Sequence, residues 1–341
     1  MRALALWGCT WIAAAALLGC KGTEDHRTAS SNEPVDEAPA ASTKLRIGVT
    51  PHCATAPAFA ARDGGAFRRE GIEATFVRFE DGKQALSALR RGEVDVALAG
   101  DLPTAVAAMK GDDVRLLATV AHSEYADWIV ARVGVATAAD LRGKTVGVPR
   151  HAGARFVLDA VLRHVGLRED DVTLRFASFP ELRHALAAGK IDALVVQQPL
   201  RRSVQALFGP GFSTITDHGG YRVDVNAVTT ATTNAGRGDV VKAFLRALDE
   251  GVAAAAHDPA PYAKTIEAEL GKIDPADDPI ASECGRVRFG LGLHHELAHK
   301  LAREAAWFVS NGSKQRPFDV KTLIDVAPLT AVRPDVVAIQ R

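Results

Sequence analysis

The most explicit chemical pattern in the chain is His295-Glu296-Leu297-Ala298-His299. On a helix, His295 and His299 share a face and could hold a zinc ion, with Glu296 as general base. No Gly-x-x-His extension follows, and the nearest downstream carboxylate, Glu304, falls off that face. Leu297, Leu301, Ala305 and Phe308 form an apolar stripe, which predicts an ordinary docking helix with solvated histidines and no metal. A second stretch, residues 86–109, reads LSALRRGEVDVALAGDLPTAVAAM. Here a helix ends at Gly92, a strand covers 94–99, and a helix starts at Pro103 with Asp101 as its N-cap. In an open α/β sheet, such a meeting of strand end and helix start is where ligands bind. No Walker sequence, Gly-x-Ser-x-Gly or Ser-His-Asp grouping stands out. Gly290-Leu291-Gly292 is too short for a nucleotide loop and follows no clear strand.

The elements that must carry this corner occur twice. Residues 182–207 repeat the pattern, with Leu89, Gly92, Asp95 and Leu98 answered by Leu186, Gly189, Asp192 and Val195, and Pro103 by Pro199. Upstream, strands at 46–49 and 74–79 are answered by 145–148 and 172–176. Each half reads strand, helix, strand, helix, strand, helix, a duplicated α/β unit whose period is too long for a solenoid. Residues 209–220 read as loop, and 224–232 as a β-branched strand returning to the first lobe. After that strand the chain reads as helical, with helices at 238–256, 259–270, 279–286 and 294–311. The domains expected are a discontinuous first lobe at 44–125 and 226–341 and a second lobe at 126–225. Two crossing segments between them make a hinge suited to closure on a ligand.

The chain has 341 residues, enough for two domains. Its 41 basic and 41 acidic residues cancel, so no broad basic field for nucleic acid exists. The first 19 residues carry Arg2, an apolar run and Leu17-Leu18-Gly19 before Cys20, a secretory signal. Leu-Leu-Gly-Cys resembles the bacterial lipobox, which implies that Cys20 is lipidated and becomes the mature N-terminus. Residues 20–43 then read as a flexible tether. Cys53 and Cys284 are left, either as a disulfide or as two buried thiols.

Beyond the tether, the order and spacing of several phrases resemble the substrate-binding proteins of bacterial ABC importers. The closest group is the one serving nitrate, sulfonates, taurine and thiamine precursors. The phrases are 56–61 with Gly65-Ala66-Phe67 and Glu70-Gly71-Ile72, Gly92-Glu93-Val94-Asp95, and 100–103. They continue with Asp140-Leu141-Arg142-Gly143-Lys144 and Gly189-Lys190-Ile191-Asp192-Ala193. The resemblance implies a bilobal α/β fold of the type-2 periplasmic-binding-protein kind, two lobes joined by two crossing strands and closed by C-terminal helices. It implies a monomeric receptor that passes a small molecule to a membrane permease. No chemistry and no cofactor are implied. The protein would be lipid-anchored at the cell envelope, facing the periplasm or the outside. The competing readings are an enzyme on the same fold (thiamine-precursor or chorismate-derived chemistry), a sensory subunit, and a zinc protease through His295, Glu296 and His299.

The resemblance also places ligand contacts at strand ends. In the first lobe these are His52, Cys53 and Thr55, then Asp101 and Thr104. On the crossing they are Glu124, Asp127 and Trp128. In the second lobe they are His151, Gly153 and Arg155, then Gln197 and Gln198. Helix starts there offer unpaired N–H groups and partial positive charge. A carboxylate at Asp101 would repel an anion at that helix, so an amine or a neutral heteroaromatic ligand fits better there, while Arg150, Arg155 and His52 could still take an anion elsewhere.

Overall fold

A computed structural model describes residues 42–123, 127–150, 152–197, 211–215, 222–272, 279–312 and 314–339. The signal, Cys20 and most of the tether lie outside these residues. The strands are β1 (Thr43–Val49), β2 (Ile72–Arg78), β3 (Val96–Gly100), β4 (Val114–Ser123), β5 (Asp127–Arg132) and β6 (Thr145–Pro149). They continue with β7 (Thr173–Ala177), β8 (Ala193–Gln197), β9 (Phe212–Ile215), β10 (Val223–Thr230) and β11 (Val287–Gly292).

These strands form two mixed sheets, ordered β11-β4-β10-β3-β1-β2 and β7-β6-β8-β5-β9. In the first, β1 is parallel to β2 and β3, while β10 runs antiparallel between β3 and β4. In the second, β6 is parallel to β7 and β8, while β5 runs antiparallel between β8 and β9. The orders correspond strand for strand, with β11 added to the first. The chain passes from sheet to sheet after β4 and returns after β9. This is the bilobal α/β architecture that the sequence implies.

The repeated Gly and Asp have one structural job in both lobes. The helices Gly82–Arg90 and Phe179–Ala187 are started by side-chain caps, Asp81 accepting from the Gln84 N–H and Ser178 from the Glu181 N–H. They end at Gly92 (φ 71°) and Gly189 (φ 69°), left-handed positions that favour glycine. Three residues later a carboxylate reaches the neighbouring strand. Asp95 Oδ2 accepts from the Arg46 N–H at 2.8 Å, and Asp192 Oδ2 from the Thr145 N–H at 2.8 Å. Each bond sets the register of the central strand against its neighbour.

Two strands differ from expectation. Residues 212–215, within the stretch read as loop, form β9 on the edge of the second sheet. Residues 287–292 form β11, although Gly290 and Gly292 hid it in a region read as helical. The helix expected at Pro103 begins earlier, as Asp101–Met109, with Gly100 at its N-cap.

The first lobe's core continues into the C-terminal helices. Phe244, on the helix Gly238–His257, is fully buried and stacks on Phe67 at 6.0 Å between centroids. Gly251 lets that helix seat on the helix Ala56–Asp63, since a Cβ there would stand 2.0 Å from the Pro57 carbonyl oxygen. The second sheet is covered on its two faces by smaller clusters built around Leu158 and Leu182. Helix Ala152–His164 of the second lobe also meets helix His295–Ser310 of the first. There the Trp307 indole N–H donates to Asp159 Oδ2 at 2.8 Å and packs edge-on against Phe156.

Candidate functional site

The carboxyl ends of β1 and β3 and the end of β4 bring the first lobe's candidate residues together. The loop after β1 is folded back on itself. Thr55 Oγ1 donates to the carbonyls of Thr50 at 3.0 Å and His52 at 2.8 Å, and is buried. Cys53 is fully buried and bonded to Cys284, with Cα atoms 5.4 Å apart. That bond draws the turn Ile280–Arg286 against the loop. Glu283 Oε2 accepts from the Cys53 N–H at 3.4 Å and lies 3.7 Å from His52 Nδ1. His52 and Glu283 keep 26% and 16% of their side-chain surface exposed.

The corner after β3 points inward. Asp101 is fully buried. Its Oδ1 accepts from the Leu102 N–H at 2.8 Å, and its Oδ2 from the Asp224 N–H at 3.2 Å. Its charge is met by the ammonium of Lys300 from helix His295–Ser310, which also donates to the Arg222 carbonyl and lies 3.2 Å from Asp224 Oδ2. Asp224 Oδ1 takes His122 Nδ1 at 2.6 Å and Arg222 Nε at 3.2 Å. Thr104 Oγ1 donates to the Gly100 carbonyl at 2.7 Å and is buried. Asp101 and Thr104, expected to face a ligand, are therefore satisfied by the protein itself.

This cluster holds one further carboxyl group. Both oxygens of Glu304 are buried with no hydrogen-bond partner among the described residues. Burial, reinforced by the Asp101 carboxylate, pushes Glu304 well above the usual carboxylate range despite nearby Lys300. Burial also raises Asp101, with Lys300 opposing. Burial works in the same direction on Asp224, but His122, Lys300 and Arg222 together hold it below its ordinary value. Burial would lower Lys300, yet the carboxylates of Asp101 and Asp224 more than offset this and raise it. Three carboxyl groups around one buried ammonium thus favour a proton on Glu304. Lys300 and Glu304 lie on the buried side of the helix that carries the HExxH spacing, a place that no local sequence pattern announces. His295, Glu296 and His299 are exposed. Among the described residues no group of three or more His, Cys, Asp or Glu could hold a metal ion.

Glu124, His151 and Gln198 lie outside the described residues. Asp127, Trp128 and Gln197 are placed by backbone alone, Asp127 opposite Gln197 where β5 and β8 pair. Gly153 sits near the start of its helix, half-buried. Arg155 donates to both oxygens of Glu169, at 2.8 and 2.6 Å, and to Asn311 Oδ1 at 2.9 Å. It is thus held by Glu169 and by the contact with the first lobe. Glu283 was also overlooked. Its signal was its position beside Cys284, since pairing of the two available cysteines places it at the loop after β1.

Comparison with known proteins agrees with this architecture. The family model described as NMT1/THI5 like matches residues 53–261, more than half of the chain. A taurine-binding periplasmic protein of Escherichia coli (strain K12) is 25% identical over 156 residues, which cover 46% of this chain and 49% of that protein. The chain spans about half the length, 40% to 49%, of the curated relatives it matches. The periplasmic aliphatic sulphonate binding protein SsuA from Escherichia coli superposes with a TM-score of 0.68 at 20% identity, over 82% of this chain and 96% of that one. The desulfurization enzyme DSZB superposes with a TM-score of 0.63 at 18% identity, over 85% of this chain and 98% of that one. These structures share the fold, and the family match over residues 53–261 shows that the chain belongs to the NMT1/THI5-like family.

Proposed function

We propose that this chain is an extracytoplasmic solute-binding receptor of an ABC-type importer. A small molecule is captured between the strand ends of the two lobes, the lobes close about the crossings, and the closed form docks on a membrane permease. The observation that carries this reading is the pair of corresponding sheets joined twice by the chain. A ligand touching both lobes binds the closed form better, and that difference drives closure. Membership of a family whose relatives include a taurine-binding periplasmic protein supports the same role. In this reading the receptor is a monomer without cofactor or chemistry, held at the envelope by lipid on Cys20.

A thermal-shift screen of the purified chain over sulfonates, taurine, nitrate, pyrimidines, amines and aromatic acids tests the proposal. A ligand at a hundred times its dissociation constant adds about 2.7 kcal/mol, a visible rise in melting temperature. No shift from any compound class would count against a receptor. Cys20→Ser is expected to release the protein from membranes, and retention would sink the anchor. The likeness to DSZB supports a second reading, an enzyme on this fold. Against a thiol nucleophile in the loop after β1, Cys53 is buried in a disulfide. Recovery of bound ligand unchanged after long incubation separates the two.

A further inference from the structure

We infer that Glu283, with His52, forms the ligand-selecting subsite of the first lobe, and that it takes a protonated amine or another N–H donor rather than a sulfonate. The inference rests on the receptor reading. Four observations lead to it.

The first is position. Val287, four residues after Glu283, pairs with Ser123, where the chain leaves the first sheet for the second lobe. The Cys53–Cys284 bond fixes the turn at the same end of the sheet, beside the loop after β1. Glu283 therefore stands where the strand ends and a crossing meet, the place where α/β sheets bind ligands.

The second is elimination within the lobe. The side chains of Cys53, Thr55, Asp101 and Thr104 are buried and committed to internal partners. His52 and Glu283 keep exposed surface. Glu283 Oε2 makes both contacts described, so Oε1 has no hydrogen-bond partner among the described residues.

The third is charge at the backbone donors. An anionic ligand uses unpaired N–H groups at helix starts. Here the Cys53 N–H is covered by the Glu283 carboxylate, and the Leu102 N–H by the Asp101 carboxylate. A sulfonate at either place would displace or face a carboxylate. The Asp101 charge is answered by Lys300, whereas the ion-pair partner of Glu283 among the described residues is the imidazole of His52 at 3.7 Å.

The fourth is rigidity. A carboxylate held by a disulfide on the next residue and by a backbone N–H is pre-organised, so little ordering cost falls on ligand binding.

The test is isothermal titration of the full purified chain with benzylammonium and phenylmethanesulfonate, which share a ring and a one-carbon arm but differ in charge. The expected result is binding of benzylammonium at least about tenfold tighter than the sulfonate, a difference of one charge-assisted contact. Glu283→Gln should abolish that preference, because the amide oxygen still accepts from the Cys53 N–H while the charge is gone. Glu283→Asp keeps the charge and should keep the preference. An unchanged melting temperature and an intact disulfide by mass show that each variant is folded. Tighter binding of the sulfonate, a preference unaltered in Glu283→Gln, or no binding of benzylammonium up to about 10 mM overturns the inference. Tight sulfonate binding would do so while leaving the receptor reading in place. Failure of the receptor reading is distinguished by silence of every compound class in the thermal-shift screen.

Discussion

The two strands β3 and β8 are reached through one local design, and their lobes differ in what the C-terminal helices cover. Both are reached through a helix closed by a left-handed glycine, and both are registered by an aspartate accepting from a backbone N–H of the neighbouring strand. In the first lobe the C-terminal helices cover the sheet and insert Lys300 between Asp101 and Asp224. Among the described residues the same chain segment hydrogen-bonds to the second lobe through Trp307 and Asn311, at the end of helix His295–Ser310. Duplication accounts for the paired sheets, while the later helices decide which groups at the first lobe's strand ends are left to a ligand. A carboxylate at a strand end is thus not a ligand contact until its own internal partner is excluded.

This contrast can be broken most sharply at Lys300. Lys300→Met leaves Asp101 buried without its cation, while Asp224 keeps His122 and Arg222, and should cost about 3–5 kcal/mol in urea unfolding near neutral pH. The deficit should shrink in acid, because unpaired buried carboxylates titrate above their unfolded values and are destabilising only when charged. A cost below that of a surface lysine would mean that the corner is open. Gly251→Ala tests the seating of the covering helices. With a backbone oxygen in the way, it should destabilise by about 3 kcal/mol, read as a lowered denaturation midpoint.

The shared aspartates sharpen the other side of the comparison. Asp192→Ala should cost about 1.5–3 kcal/mol, the range for hydrogen bonds to charged groups. Asp95→Ala should cost more, because Arg46 at 3.0 Å and Arg237 at 3.1 Å also reach its carboxylate. Equal costs in stability measurements would show that those arginines contribute nothing. The smallest expected effect is a gain. The raised Glu304 keeps in the folded state a proton that the unfolded chain releases above roughly pH 4.3. Wild-type stability therefore falls as pH rises from there towards the folded value. Glu304→Met removes this loss, so its advantage should be nil in acid and reach about 1–3 kcal/mol at neutral pH. A pH-independent difference would contradict a buried neutral acid.

The sequence makes the paired lobes readable because the repeated signals are local. A glycine, an aspartate three residues on and an apolar strand announce β3 and β8 without any distant partner. β9 and β11 were hidden for the opposite reason. Both are short outer strands rich in glycine nearby, and their order comes from pairing with β5 and β4 rather than from their own composition. The candidate site divides in the same way. That the loops after β1 and β3 lie at one end of a sheet followed from the alternation of elements. That Asp101 turns inward depended on Lys300, far along the chain, and no local pattern links the two. The pairing of Cys53 with Cys284 stood open on sequence grounds, and with it the place of Glu283. The apolar stripe through Leu297, Leu301, Ala305 and Phe308 announced the docking helix with its exposed histidines, but not that the buried face also carries Lys300 and Glu304 into the core.

The corner after β3 is closed by the protein itself, through the buried pair of Asp101 and Lys300. A double-mutant cycle on Asp101 and Lys300, with Asp101→Asn, Lys300→Met and both together, measures this directly by urea unfolding. The expected coupling is about 1–3 kcal/mol, with the double variant more stable than the sum of the single costs implies. Additivity within about 0.5 kcal/mol would show that the two charges do not meet, and that Asp101 is free to face a ligand.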